Sequence, residues 1–380
     1  MLDSYKSPWM TEDLTHFNDM VLRFAKEYVE PNQLKWREQQ YADRSVWSKA
    51  GELGLILPDI SDEYGGAGGN IGHYVCVAQA LSAYGGGLGT GLSRIVAHYI
   101  LDSGTEEQKQ HWLPKIASGE IICAIAMTEP GAGSDLQSVR TRAVKSEGGY
   151  VINGAKTFIS NGQTCDMVLV IAKTDSTEGA RGISLFMVDT NRPGFRRGQC
   201  LEKIGMHAQD TSEMFFDDVE VPDDCLLGGV EGRGFYTLMN QLPYERAQIG
   251  VGAVAVMERA LELTLEYVKE RKVFGKQVIE FQNSKFVLAD IKATVQASRT
   301  FVDLIIQRWI DGTLDTTLAS MGKFWLTERQ GEVLDRCLQL FGGYGYMNEY
   351  PIGRMWVDAR VARIYGGSNE IQRELVARSL

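Results

Sequence analysis

Residues 121–135 read IICAIAMTEPGAGSD, a short run of β-branched and small apolar residues that ends abruptly in a proline and two glycines. A run of that length bounded by turn formers reads as a strand leading into a tight loop. Four further runs follow with the same character: YVINGAKTFIS (150–160), MVLVIA (167–172), ISLFMVD (183–189) and EMFFDDVEVP (213–222). Turn material separates them, including Glu147-Gly148-Gly149 and Asn191-Arg192-Pro193-Gly194. The spacing predicts a β domain, an antiparallel sheet or barrel, over 121–236.

On the N-terminal side, Leu14, Phe17, Val21, Phe24 and Tyr28 recur every three or four positions, which puts them on one helix face. Residues 1–120 therefore read as a helical domain. It is interrupted by two glycine clusters (Gly65, Gly66, Gly68, Gly69 and Gly85, Gly86, Gly87) that read as loops. On the C-terminal side the helical period returns after Gly232 and Gly234. Ala247, Val251, Val254, Met257, Leu261, Leu265 and Val268 form one stripe, and Leu288, Ile291, Val295, Val302, Ile305 and Trp309 a second. A third helix is expected from about Thr316 to Leu340, stopped by Gly342 and Gly343. Residues 237–380 form the third domain. Helices, then strands, then helices is an α+β order rather than an alternating βαβ one, so any nucleotide is bound without a Rossmann fold.

Composition narrows the function. With 44% hydrophobic and 23% charged residues and a mean hydropathy of -0.17, the 380-residue chain can bury large cores. A net charge of -10 works against nucleic-acid binding. No run approaches the length of a membrane-spanning helix. Six cysteines without a C-x-x-C pair and five histidines give no sign of a zinc site or a disulfide framework. The start, MLDSYKSPWMTEDLTHF, shows neither a basic nor an apolar leader segment, and a cytoplasmic chain is expected. Glycine stands out at 41 residues against 9 prolines, more than turns alone require.

The loop Met127-Thr128-Glu129-Pro130-Gly131-Ala132-Gly133-Ser134 could form an anion nest, with glycines that admit close backbone approach and a serine hydroxyl. By itself it reads rather as a β-turn with a proline at its start. Its company decides. Downstream stand Lys156-Thr157-Phe158-Ile159-Ser160-Asn161-Gly162, Arg271-Lys272-Val273-Phe274-Gly275-Lys276 with Phe281-Gln282, Gln339-Leu340-Phe341-Gly342-Gly343-Tyr344-Gly345-Tyr346, and Ile364-Tyr365-Gly366-Gly367-Ser368-Asn369-Glu370-Ile371-Gln372-Arg373. Five motifs in this order resemble the acyl-CoA dehydrogenase family over essentially the whole chain. The resemblance implies its fold: an N-terminal helical domain, a central β domain and a C-terminal four-helix bundle.

The resemblance also implies FAD as cofactor. Met127, Thr128, Phe158, Ile159 and Ser160 would lie along the flavin, and Gly133 and Ser134 along the phosphates or the CoA thioester. Phe158 has no such meaning without the motif, since an aromatic on a strand is by default core. Arg271, Phe274, Gln282, Gln339, Gly342 and Gly343 match residues that hold the FAD of a neighbouring subunit, and Ser368 and Glu370 match adenine-side contacts. A homotetramer, built as a dimer of dimers, and electron-transfer flavoprotein as acceptor follow by the same resemblance, with acyl-CoA as substrate.

The implied reaction is α,β-dehydrogenation: a carboxylate removes the α-proton while the β-hydrogen leaves as hydride to the flavin. Most of the family carries this carboxylate directly after the tyrosine that matches Tyr365. Here that position is Gly366, which cannot take a proton. A minority branch, the long-chain and isovaleryl enzymes, supplies it from the helix that opens the C-terminal domain, in a segment like Leu242-Pro243-Tyr244-Glu245-Arg246. Glu245 is therefore the expected base. Tyr244, Arg246, Tyr365, Gly366 and Gly367 are expected at the substrate, with the Gly366 N–H polarising the thioester carbonyl. Residues 348–351 and 364–370 resemble the long-chain enzymes more than the isovaleryl ones. Two other readings stand beside this: a flavin oxidase on the same fold, and a non-enzymatic homologue that binds flavin or acyl-CoA.

Overall fold

The structure, a computed structural model, describes residues 5–85 and 88–380. Gly86 and Gly87 of the second glycine cluster lie outside the described residues. Six helices form the first layer: α1 (Glu12–Phe24), α2 (Gln33–Gln39), α3 (Arg44–Glu52), α4 (Ile71–Ala83), α5 (Thr90–Ser103) and α6 (Glu106–Ala117). Their starts follow local chemistry. The Thr11 hydroxyl accepts from the Leu14 N–H at the head of α1, and reciprocal capping boxes open α4 (Asn70 and His73) and α6 (Thr105 and Gln108). The stripe read from the sequence is the one α1 buries, through Leu14, Val21 and Phe24. The first glycine cluster is a loop between α3 and α4. A Cβ on Gly66 would collide with the Ile60 carbonyl, so the loop closes on itself only with glycine there.

The middle layer holds β1 (Cys123–Ala126), β2 (Arg142–Ser146), β3 (Gly149–Ser160), β4 (Met167–Lys173), β5 (Ile183–Asp189), β6 (Phe195–Cys200) and β7 (Thr211–Pro222). They form one sheet in the order β1-β4-β2-β3-β7-β6, with β5 paired to the other edge of β4 along its whole length, Met167–Lys173. Most pairs are antiparallel, but β1 runs parallel to β4, and β2 meets β4 in parallel at Arg142 and Lys173. The sheet is therefore mixed rather than wholly antiparallel. The chain between β1 and β4 contains two whole strands, which gives it the length a parallel return needs. β4 and β5 are buried on both faces, as their unbroken apolar runs require.

The last layer is a bundle of α7 (Gly234–Glu270), α8 (Gln282–Ile310) and α9 (Thr316–Phe341). A two-stranded ribbon, β8 (Lys272–Val273) with β9 (Lys276–Gln277), joins α7 to α8, and α10 (Pro351–Ala359) and α11 (Asn369–Ala377) pack on α9.

Two hydrophobic cores result. One fuses α1–α6 with the sheet and the other fills the C-terminal bundle. Helix α4 serves both: Val77, Ala80 and Leu81 enter the first, while Tyr74, Val75 and Cys76 enter the second. A helix apolar on both sides is one that is wedged between layers. The seam it creates, among α4, α5, α7 and the end of β1, is where the principal cavity lies.

Candidate active site

The cavity has a volume of about 670 Å³ and is lined mostly by apolar groups, among them Leu81, Leu92, Ile95, Leu242, Ile249 and Val256. An apolar pocket with a few polar groups at a junction of domains is the usual form of a small-molecule site. Met127, Thr128, Gly133, Ser134, Phe158, Ile159, Ser160, Glu245, Arg246, Tyr365, Gly366 and Gly367 all line it. These come from β1 and its loop, the end of β3, α7, and the turn before α11.

The loop after β1 is held by a buried ion pair. Lys156, fully buried on β3, places its Nζ 2.9 Å from Glu129 Oε1, 2.7 Å from the Ile171 carbonyl and 3.2 Å from the Met127 carbonyl. The Glu129 carboxylate also accepts the N–H groups of Arg140 (2.6 Å) and Thr141 (3.0 Å). Burial pulls the lysine down to about 8, against the pull of Glu129. Burial acts to raise the Glu129 carboxyl, but Lys156 and the hydrogen bonds outweigh it and leave the group below its ordinary value. The Thr128 carbonyl accepts from the Thr157 N–H at 2.9 Å. Gly131 and Gly133 have open space where a Cβ would stand and φ values any residue can adopt. Their small size leaves room outside the chain rather than relieving a contact within it.

Phe158 departs from its default as a core residue. The β3–β7 register slips between Lys156 and Ile159, and at this bulge Phe158 takes φ = 59°. Its ring is 67% exposed and lies on the cavity surface. A bulky residue in the left-handed region is strained, and such strain concentrates at sites of function. Ile159 is turned inward and buried, with Ser160 half-buried beside it. An aromatic face and open backbone room beside two glycines are features that fit a flavin.

Glu245 sits in the fourth turn of α7, two residues after Pro243, which lacks the N–H that would bond the Met239 carbonyl. Its Oε1 accepts the Tyr99 hydroxyl of α5 at 2.7 Å. Burial raises the carboxyl above its ordinary value, while the Tyr99 hydrogen bond and the Arg246 charge oppose the rise. Arg246 is itself buried, and among the described residues its Nε has no hydrogen-bond partner. Among the described residues, two other carboxylates line the cavity. Asp358 binds Arg37 and accepts from the Met206 N–H at 2.5 Å. Asp135 accepts from the Gln137 N–H and the Ser138 hydroxyl at the rim.

Opposite Glu245, Gly366 and Gly367 have φ of 65° and 81°, and a Cβ on Gly366 would collide with Ile249 Cδ1, one turn along α7 from Glu245. Lys323 of α9, fully buried, holds this turn by donating to the Gly367 carbonyl and Asn369 Oδ1, each at 2.9 Å.

Other expected residues lie elsewhere. Tyr244 stacks on Trp309 (5.9 Å, 24°) rather than lining the cavity. Arg271, Gln339, Gly342 and Gly343 line a second hollow of about 510 Å³ at the end of α7 and α9. Phe274, 96% exposed with φ = 53°, and Gln282 lie outside both hollows. Ser368 is the N-cap residue of α11, and Glu370, exposed in its first turn, is lowered by backbone hydrogen bonding and Ser368. Tyr99 and Lys323 gave no sequence signal, and Lys156 stood out only as the head of its motif, because the partners they act through are 15 or more residues away.

Comparison with known proteins bears on the chain as a whole. Residues 11–120, 124–219 and 232–380 match the N-terminal, middle and C-terminal domains of acyl-CoA dehydrogenase. The long-chain specific acyl-CoA dehydrogenase of Sus scrofa mitochondria is 45% identical over 96% of this chain and 85% of its own length. Mitochondrial isovaleryl-CoA dehydrogenase of Solanum tuberosum is 37% identical over 96% of this chain and 89% of its own. The crystal structure of an acyl-CoA dehydrogenase from Geobacillus kaustophilus superposes with a TM-score of 0.96 at 44% identity, covering 98% of this chain and 99% of that one. The expected cytoplasmic location is overturned here, because the long-chain and isovaleryl relatives are mitochondrial proteins. The lack of a leader pattern in the opening residues is no guide to location.

Proposed function

Since the chain belongs to the acyl-CoA dehydrogenase family, and is an enzyme of FAD-dependent α,β-dehydrogenation of acyl-CoA to enoyl-CoA, we propose that Glu245 is the base that takes the α-proton. One observation carries this. Among the described carboxylates of the cavity wall, Asp358 is neutralised by Arg37 and Asp135 is spent on its own turn, whereas Glu245 is raised by burial and tied only to a tyrosine. A buried carboxylate moved toward neutrality is matched to proton abstraction near pH 7.

The N–H of Gly366 polarises the thioester carbonyl, which acidifies the α-carbon, and Arg246 supports the base or the substrate. Bound FAD supplies the acceptor for the β-hydrogen. Met127, Thr128, Phe158, Ile159 and Ser160 hold its ring, and Gly133 and Ser134 line the path of its phosphates or of the CoA thioester. Ser368 and Glu370 contact its adenine side. Arg271, Phe274, Gln282, Gln339, Gly342 and Gly343 hold the cofactor of a neighbouring subunit. That the second hollow shares no lining residue with the first supports a cofactor contact made across subunits, and the family resemblance extends this to a homotetramer. Electron-transfer flavoprotein takes the electrons. The apolar wall from Ile95 to Val256 and the likeness to long-chain enzymes favour a medium-to-long acyl chain.

The test is Glu245→Gln. The expected variant is folded and yellow but loses anaerobic flavin bleaching by acyl-CoA by roughly 10²-fold to 10⁴-fold or more. Unchanged bleaching would remove Glu245 from the chemistry. A panel of chain lengths and branches in the same assay identifies the substrate.

A further inference from the structure

Glu245 has a flexible side chain with two chemically equivalent oxygens, only one of which can face the substrate productively at a time. Something must choose between them. Among the described residues its only hydrogen bond is the one from Tyr99, and it reaches Oε1. Tyr99 is completely buried on α5, between Val96 and Ile100 of the same helix, which are also completely buried. The position of its hydroxyl is therefore set by core packing, and the phenol has few rotamers to lose.

The groups around Glu245 offer no substitute. On α5, Arg94 is bound to Asp59, and Asp102 is bound to Gln241 of α7. On α4, the Tyr74 hydroxyl does not hydrogen-bond the carboxylate. On α7 itself, Arg246 contributes charge without a hydrogen bond to Glu245. On α9, Lys323 is committed to Gly367 and Asn369, and in the turn before α11 Tyr365 lines the cavity without binding the carboxylate.

We propose that Tyr99 is a positioning residue that occupies Oε1 of Glu245 and so assigns Oε2 as the oxygen that accepts the substrate α-proton. The proposal rests on Glu245 being the base. In the step itself the Cα–H bond breaks, its proton goes to Oε2, and the electron pair forms the new α,β double bond as the β-hydrogen leaves with its own pair for the FAD that the site would hold, which would be reduced by those two electrons. Tyr99 keeps its proton throughout. Because an O–H donor favours the ionised carboxylate, Tyr99 also opposes the rise that burial imposes on the base.

Tyr99→Phe removes the hydroxyl and keeps the ring. The acid limb of kcat/KM, which reports the free enzyme, is expected to move up by about one to two pH units, the shift that corresponds to losing one hydrogen bond to a charged group. A packing defect alone would lower activity at all pH values without moving the limb. The protonated-carboxyl infrared band that disappears in Glu245→Gln should titrate at correspondingly higher pH in Tyr99→Phe, a readout that needs no turnover. A limb and band at the wild-type position overturn the proposal. If Glu245→Gln abolishes bleaching while Tyr99→Phe leaves both readouts unmoved, only the role of Tyr99 fails. If Glu245→Gln retains bleaching, the assignment of the base fails, whatever Tyr99 does.

Discussion

Gly366 packs against Ile249 so closely that a Cβ at position 366 would strike Cδ1 of that side chain, and Ile249 follows Glu245 by one turn of α7. The two places from which a base could be offered to the substrate therefore share one patch of wall. A carboxylate moved from 245 to 366 has to displace Ile249 and accept φ = 65°. The pair Glu245→Gly, Gly366→Glu is expected to recover little activity. Adding Ile249→Ala opens the space and should raise recovery by at least tenfold over the pair. Anaerobic bleaching rates for the pair and the triple check this, and equal rates for the two would show that Ile249 is not the obstacle.

The Lys156–Glu129 pair governs the loop after β1. Removing one partner of a buried pair strands the other charge, at a cost of about 3–5 kcal/mol. Lys156→Met should lower stability by that order and weaken FAD binding, because the Met127 carbonyl loses its donor. Lys156→Met with Glu129→Leu should recover much of the stability. Because Glu129 lies below its ordinary value in the folded state, its contribution is present above the unfolded carboxyl pKa of about 4.3 and is lost as pH falls through the folded value. Denaturant unfolding at pH 7 and pH 4 measures both effects.

Phe158 is held in a conformation that costs on the order of 1–3 kcal/mol, whereas glycine there would cost about 0.5–1 kcal/mol in backbone entropy. With its ring 67% exposed, little burial is lost on truncation. Phe158→Gly is expected to leave the apo-protein as stable as wild type or more so, while FAD affinity falls by tenfold or more. Thermal unfolding of apo-protein and FAD titration separate the two. A clear loss of apo-stability would make Phe158 a packing residue after all.

Burial lowers Lys323 to about 8. Between that value and the unfolded lysine value of about 10.4, the unfolded chain binds the extra proton, so this group makes stability rise with pH across that window. Lys323→Met should flatten that rise when melting is followed from pH 7 to pH 10. The same variant releases the Gly367 carbonyl and Asn369, and turnover should fall by about tenfold or more as the Gly366 turn loses its anchor. Identical pH slopes for wild type and variant would show that the lysine is not depressed.

The three-layer order was legible in the sequence because the period of apolar residues changes from three or four to strand-like runs at Ile121 and back after Gly234. Those periods are local consequences of helix and strand geometry. The glycine at 366 and the glutamate at 245 were legible as candidates by motif. Their common patch of wall was not, since it depends on how α7 crosses the turn before α11. The parallel pairing of β1 with β4 was equally hidden, because strand partners are chosen over dozens of intervening residues.

What the sequence by itself determined is the order of elements, the residue types offered at each motif and the absence of a carboxylate at 366. Tertiary structure alone decided that Phe158 faces outward at a bulge, that Tyr244 turns to Trp309, and that Tyr99, 146 positions from Glu245, holds its carboxylate. The reason is physical. Periodicity tells which face of an element is apolar, but a hydrogen bond or a raised carboxyl depends on what the other layers bring to within about 3 Å of it.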